Sequence, residues 1–158
     1  MLIKQAKFTE LAREAGIHLG LPEPEMIANG QDFFIDGVTC QVTFNEIRSS
    51  VYFTCEIGDP EPDMEVEVYR QILEMQLLMM GGVDAMFARD GINDRLLFVT
   101  RLPLDQEVEA VNLAKVMTGV AAQVQAWQET VLSGKLIDYG REFDKIFPEA
   151  DAGAGARA

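Results

Sequence analysis

Apolar positions recur with two different periods along this chain. Residues 2–15 place Phe8, Leu11, Ala12 and Ala15 at i, i+3, i+4 and i+7, which predicts an amphipathic helix with Gly16 as its stop. Pro22, Pro24 and Asn29-Gly30 then predict a loop from Ile17 to Gly30. After it the period changes to two. Asp32–Ile35 reads as a short strand, Asp36-Gly37 as a two-residue hairpin turn, and Val38–Phe44 and Val51–Ile57 as alternating strands joined through Asn45–Ser50. The register follows by arithmetic. The Asp36-Gly37 turn pairs Ile35 with Val38 and Phe33 with Cys40. The Asn45–Ser50 connection pairs Phe44 with Val51, Val42 with Phe53 and Cys40 with Cys55. All of these fall on one apolar face. Thr39, Gln41, Thr43, Tyr52, Thr54 and Glu56 fall on the other, and a one-residue slip would scramble the segregation.

The second half opens with Asp59-Pro60-Glu61-Pro62-Asp63, suited to a helix start. It leads into Ile72–Met80, where seven of nine residues are apolar. Tyr69, Ile72, Leu73, Leu77 and Met80 form one helical stripe, and Met75, Leu78 and Met79 widen it to most of the circumference. A helix apolar nearly all round must be buried nearly all round. One small core cannot do that, so a subunit interface is expected here. Gly81-Gly82 closes this helix. Ala85–Arg89 and Arg95–Arg101 predict a hairpin around Asp90–Asp94 with apolar residues on both faces, which implies two-sided burial. A long helix follows over 106–132, with the stripe Leu113, Val116, Val120, Val124, Trp127 and Val131, ending at Gly134. Gly119 inside it suggests close packing. The expected fold is α+β, in the order α-β-β-β-α-β-β-α, an antiparallel sheet packed by helices. It should occupy residues 1–134 as one domain. Residues 135–150, with Ile137, Phe143, Ile146 and Phe147, read as a short helical segment, and 151–158 as a disordered tail.

Charge narrows the partners. The chain has 158 residues and a formal net charge of −13. That field repels nucleic acid and anionic membrane, and no apolar run reaches the ~20 residues of a membrane span. No secretory signal pattern opens the chain, so a cytoplasmic location is expected. Six acids between Glu56 and Glu67 read as a solvated loop feeding a helix N-terminus.

Candidate chemistry is sparse. The single histidine, His18, sits in an expected loop. Cys40 and Cys55 are opposed across a strand pair and lack the companions a zinc site needs; two buried thiols fit better than a disulfide in a cytosolic protein. Asp90 and Asp94 belong to a turn, where Asp serves its own backbone. No phosphate-binding or nucleophile motif is present, so no enzyme activity and no cofactor are expected. Of the eight methionines, Met75, Met79, Met80 and Met86 cluster. Core packing, a dimer interface and a client-binding groove all suit them.

Taken in order, these segments resemble a family. The opening helix ends Leu11-Ala12-Arg13-Glu14-Ala15-Gly16-Ile17, and the Asp36-Gly37 hairpin lies within a three-strand meander. The apolar helix Ile72–Met80 leads to the strand Ala85–Arg89, and Leu96–Leu104 feeds the last helix. Over about residues 3–133 the chain is similar to the class I type III secretion chaperones of the Tir-chaperone type. It departs from them in the Pro22–Pro24 loop and in the extended end beyond Gly134. The resemblance implies a homodimer built on the second helix and the following strand. It also implies that the N-terminal segment of a secreted effector wraps the dimer in non-globular form, through apolar patches and strand addition, and is then delivered to the secretion-system ATPase. On this basis the dimer interface is expected at Leu73, Leu77, Leu78, Met80 and Met86, and effector contacts at Leu2, Phe8, Phe34 and Tyr52. Two other readings remain: a small dimeric regulatory or interaction module of the same fold, and a dimeric enzyme with its site across the interface.

Overall fold

The computed structural model describes residues 3–135. Leu2, the expected segment 135–150 apart from Lys135, and the tail 151–158 lie outside the described residues. Five antiparallel strands form one sheet: β1 (Phe33–Ile35), β2 (Val38–Asn45), β3 (Ser50–Gly58), β4 (Ala85–Asp90) and β5 (Arg95–Pro103), in the spatial order β1-β2-β3-β5-β4. Helices α1 (Gln5–His18), α2 (Glu65–Met79) and α3 (Ala110–Leu132) cover one face, and a 3-10 turn spans Pro24–Met26. The element order is the expected one.

The meander has the register derived from its turns, with Ile35 opposite Val38, Phe33 opposite Cys40, Cys40 opposite Cys55 and Phe44 opposite Val51. Asp36 and Gly37 both have positive φ, 48° and 83°, as the tight hairpin turn that matches strand twist requires. Phe33, Ile35, Val38, Cys40, Val42, Val51, Phe53, Cys55 and Ile57 are buried on the helix side. Leu96 and Phe98 of β5 continue that face. Trp127 of α3 packs edge-on to Phe98 with centroids 5.1 Å apart and lies 5.4 Å from Phe87.

Ser49 ties the end of the sheet together. Its Oγ accepts the Ile3 amide hydrogen and donates to the Leu104 carbonyl, both at 2.8 Å, and its own carbonyl accepts the Leu104 amide hydrogen at 2.7 Å. The start of the chain and the β5–α3 link are thereby held by one turn residue.

Several expectations need correction. Gly16 does not stop α1. It lies inside the helix, buried against the 3-10 turn, where an added Cβ would sit 2.5 Å from the Pro24 carbonyl oxygen. Gly119 has no such reason: a Cβ there would meet nothing within 4 Å. Helix α3 begins at Ala110, and its core stripe runs through Leu113, Met117, Ala121, Val124, Trp127 and Val131. Val116 is exposed, because Met117 takes the inward position. The β4–β5 hairpin is buried on one face only. Leu97 and Val99 are half-covered and Met86 is exposed, since none of the described elements lies on that side.

Candidate functional site

Helix α2 settles which part of its apolar circumference serves the core. Val68, Ile72, Met75 and Met79 are buried at i, i+4, i+7 and i+11. The expected stripe was a different one, and only Ile72 belongs to both. Leu73, Leu77 and Met80 are 70%, 67% and 77% exposed. Leu78 and Met86 are exposed as well. Two polar side chains fix this rotation. On one flank Gln71 donates to Glu67 Oε1 at 2.6 Å and to the Gly134 carbonyl at 2.9 Å. On the other, Gln76 Oε1 accepts the Phe87 amide hydrogen at 2.8 Å. Helix α2 is thus pinned between the end of α3 and the edge strand β4. Neither glutamine belongs to a sequence motif, and residue pattern alone carried no signal for them.

The outward stripe also contains Arg70, held by Glu67 and Glu74 at 2.5 and 2.6 Å. These carboxylates push the guanidinium pKa upward, Glu67 contributing most through its hydrogen bond. Glu67 is in turn held below the usual carboxylate range by hydrogen bonds from Arg70 and Gln71. Between α2 and β4 lies an open apolar notch of about 240 Å³, bordered by Tyr69, Leu73, Phe87 and Leu96. Arg89 Nε closes one end by donating to the Tyr69 hydroxyl at 3.0 Å.

The four expected effector contacts fare differently. Leu2 lies outside the described residues. Phe8 is 1% exposed and stacks on Phe44 with ring centroids 4.3 Å apart; it is a core residue with no surface to offer, because it shares the inward stripe of α1. Phe34 is 64% exposed on β1. Tyr52 is half-buried on the helix-free face of the sheet. Beside β1 runs a groove of about 480 Å³ formed by Leu19, Phe34, Ile35, Val111 and Ala114, with His18, Asp36, Lys115 and Thr118 at its margins. Leu19 and Val111 were not singled out by periodicity, since each lies at or outside the inward stripe of its own helix.

The candidate chemical groups are structural. His18 is the last residue of α1 rather than a loop residue, and is exposed. Cys40 and Cys55 are free buried thiols with sulfurs 3.7 Å apart. The hydrogen bond to Cys40, then burial, raises the Cys55 pKa far above the ordinary thiol range. Asp90 accepts from the Ile92 and Asn93 amides and from the Asn93 side chain. These bonds, the Asn93 side chain's first, lower its pKa. Among the described residues no group of three or more His, Cys, Asp or Glu could hold a metal ion, and no helix is long and apolar enough to cross a membrane.

A family model described as the Tir chaperone protein (CesT) family matches residues 10–128. The chain belongs to the Tir chaperone family. Two solved structures share the fold of this Tir chaperone family member. A chain of the ExsC–ExsE complex superposes with a TM-score of 0.65 at 13% identity, covering 81% of this chain and 96% of that one. A chain of the HopA1–SchA chaperone–effector complex gives 0.62 at 13% identity, covering 79% and 95%. No curated protein sequence matches significantly.

Proposed function

We propose that this chain is a type III secretion chaperone that binds the N-terminal segment of a secreted effector in non-globular form and keeps it soluble for export. The observation that carries the reading is that a member of the Tir chaperone family leaves a helix stripe of Leu73, Leu77 and Met80 apolar and exposed, and Phe34 exposed on the edge strand β1. Binding of this kind uses surface alone and breaks no bond.

The helix stripe suits a homodimer. Val66, Arg70, Leu73, Leu77 and Met80 are spaced 4, 3, 4 and 3 residues apart, the spacing by which one helix packs along another. Fully covering a Leu or Met side chain returns about 1.5–3 kcal/mol. Six such side chains across two copies supply on the order of 10 kcal/mol, comparable with the cost of association. Leu78, next to Leu77 on α2, and Met86 on β4 are exposed as well and are the other residues proposed for the interface. Phe34 and Tyr52 lie away from it and are left for cargo. An unfolded segment loses much entropy on binding, so it needs a long wrapped surface, and two sheets in a dimer provide one. Handover to the secretion ATPase completes the role.

Co-expression with secreted proteins encoded nearby tests the reading. A partner should co-purify through its N-terminal segment, and that segment should stay protease-sensitive when the chaperone is removed. A partner that binds only as a folded domain would instead favour a regulatory interaction module.

A further inference from the structure

Cys40 and Cys55 are nucleophilic side chains that cargo binding does not use. Their placement follows from the turn arithmetic. The two-residue turn at Asp36-Gly37 makes Ile35 and Val38 a hydrogen-bonded pair. Bonding direction alternates along a strand, so Val38 and Cys40 bond towards β1, and Thr39 and Gln41 towards β3. Gln41 and Thr54 therefore exchange bonds, and Cys40 and Cys55 form the neighbouring non-hydrogen-bonded pair. Opposed side chains come closest in such a pair. Its Cα atoms lie about 4.5 Å apart, inside the range of about 4.4–6.8 Å that a disulfide spans. The two sulfurs are 3.7 Å apart and face one another as hydrogen-bond partners. Rotation about the Cα–Cβ bonds would bring them to bonding distance with no change of strand register.

The helix layer keeps solvent from the pair. Both cysteines are buried, on the same core face as Phe33 and Phe53, whose rings stack with centroids 6.4 Å apart. Helix α3 packs on β2 and β3. Two glutamines bond it to that end of the sheet. Gln125 Nε2 donates to the Asp36 carbonyl at 3.1 Å, and Gln128 Nε2 donates to the Glu56 carbonyl at 3.4 Å. The hydrogen bond to Cys40, with burial, keeps the Cys55 thiol protonated. Thiol exchange needs a thiolate and access to it. The pair is therefore inert while α3 lies on the sheet and reactive when local opening lifts it.

The geometry points to a redox latch: an oxidisable dithiol that joins β2 to β3 through a Cys40–Cys55 disulfide when α3 lifts in the presence of a small aliphatic disulfide. The thiolate of one cysteine attacks a sulfur of the oxidant, forming a mixed disulfide and releasing one small thiol. The thiolate of the other cysteine then attacks the protein-side sulfur of that mixed disulfide. The bond between the cysteines forms and the second small thiol leaves. Two electrons pass from the pair to the oxidant, and the two cysteine protons end on the two small thiols. The new bond closes a loop between residues 15 positions apart, which restrains the unfolded chain and stabilises the meander. Thr39, Gln41, Thr54 and Glu56 lie on the opposite face of these strands. The latch thus changes resistance to unfolding and leaves the outer surface as it is, with or without cargo.

The test incubates the full-length chain with oxidised glutathione at mildly alkaline pH, in buffer and in urea below the unfolding transition, then blocks free thiols and digests. Trypsin cuts after Arg48, between the two cysteines. The expected product joins peptide 14–48 to peptide 49–70, and the intact chain should lose two hydrogens and retain no glutathione. The low urea should speed closure. Gln125→Ala/Gln128→Ala should close at least about threefold faster than wild type in buffer, the range of two weak tethers. The oxidised wild type should unfold at a guanidinium chloride midpoint about 0.5–1 M higher, and dithiothreitol should reverse the shift. Cys55→Ala, treated alike, should show no such shift. The peptide link is read on wild type and decides the matter even if the variants fail to fold. A link formed only above the unfolding transition, a mixed disulfide that persists, or a bond between two chains would each overturn the latch. Equal closure rates for wild type and the glutamine variant would overturn its gating by α3.

Discussion

Gln76 and Phe87 face each other across the gap between α2 and β4, and the glutamine side-chain oxygen takes the strand's outward amide hydrogen at 2.8 Å. With the bonds of Gln71 on the opposite flank, this bond sets the rotation of α2, and it occupies the outward amide of the edge strand. Replacing Gln76 with Ala should cost about 1 kcal/mol, the net value of one such hydrogen bond. Native-state hydrogen exchange should show the Phe87 amide exchanging faster while the β2–β3 amides keep their protection. Unchanged exchange at Phe87 would mean that the edge is held by something else.

The orientation of α2 separates two substitutions that look alike in sequence. Leu77 is exposed and Met75 fully buried in the protomer. Leu77→Lys should leave the fold intact and convert a dimer to monomer in sedimentation, since the charge would be desolvated only at the seam. Met75→Ala should lower stability by about 2–5 kcal/mol and leave the folded fraction dimeric. A dimer unaffected by Leu77→Lys would remove that residue from the interface.

Two glycines inside helices should respond in opposite directions. At Gly119 the space is open, so Gly119→Ala should gain about 0.5–1 kcal/mol from helix propensity. At Gly16 a methyl would meet the Pro24 carbonyl at 2.5 Å, and backbone cannot yield cheaply; Gly16→Ala should lose about 1–3 kcal/mol. Chemical denaturation of the two variants side by side checks both signs.

The thiol pair gives the chain a signature at high pH. Cys55 has its pKa raised by the Cys40 hydrogen bond and by burial, so the unfolded chain loses this proton before the native one does. The stability it contributes is fully present below the ordinary thiol pKa of about 9 and falls as pH rises above it. The slope from this one group is about 1.4 kcal/mol per pH unit. That slope is reached well above pH 9, so Cys55→Ala should flatten the stability curve between pH 9 and 10 relative to wild type by about 1 kcal/mol. Parallel curves would show that Cys55 does not carry the effect.

The meander was legible in the sequence to the residue. Turn length fixes register, and a buried face punishes any slip, so Ile35–Val38 and Cys40–Cys55 could be paired by counting. Helix α2 was not legible in the same way. Periodicity identifies a face only when the rest of the helix is polar, and here Leu73–Leu77–Met80 competes with Val68–Met75–Met79 on equal terms. What decided between them are the bonds of Gln71 and Gln76 to residues 63 and 11 positions away, which no local pattern encodes. The same holds for Ser49, whose partners Ile3 and Leu104 come from opposite parts of the chain, and for Gly16, whose reason lies in Pro24. Phe8, expected among the cargo contacts, belongs to the core because it shares the inward stripe of α1.

The role proposed for this chain is to hold the extended N-terminus of an exported protein. Pull-down of the tagged full-length chain from its native cell, with cross-linking and mass spectrometry, tests it most directly. The expected result is one or a few secreted proteins, cross-linked through their N-terminal segments to the exposed surfaces of the sheet. Recovery of folded cytosolic partners alone, with no secreted protein among them, would contradict it.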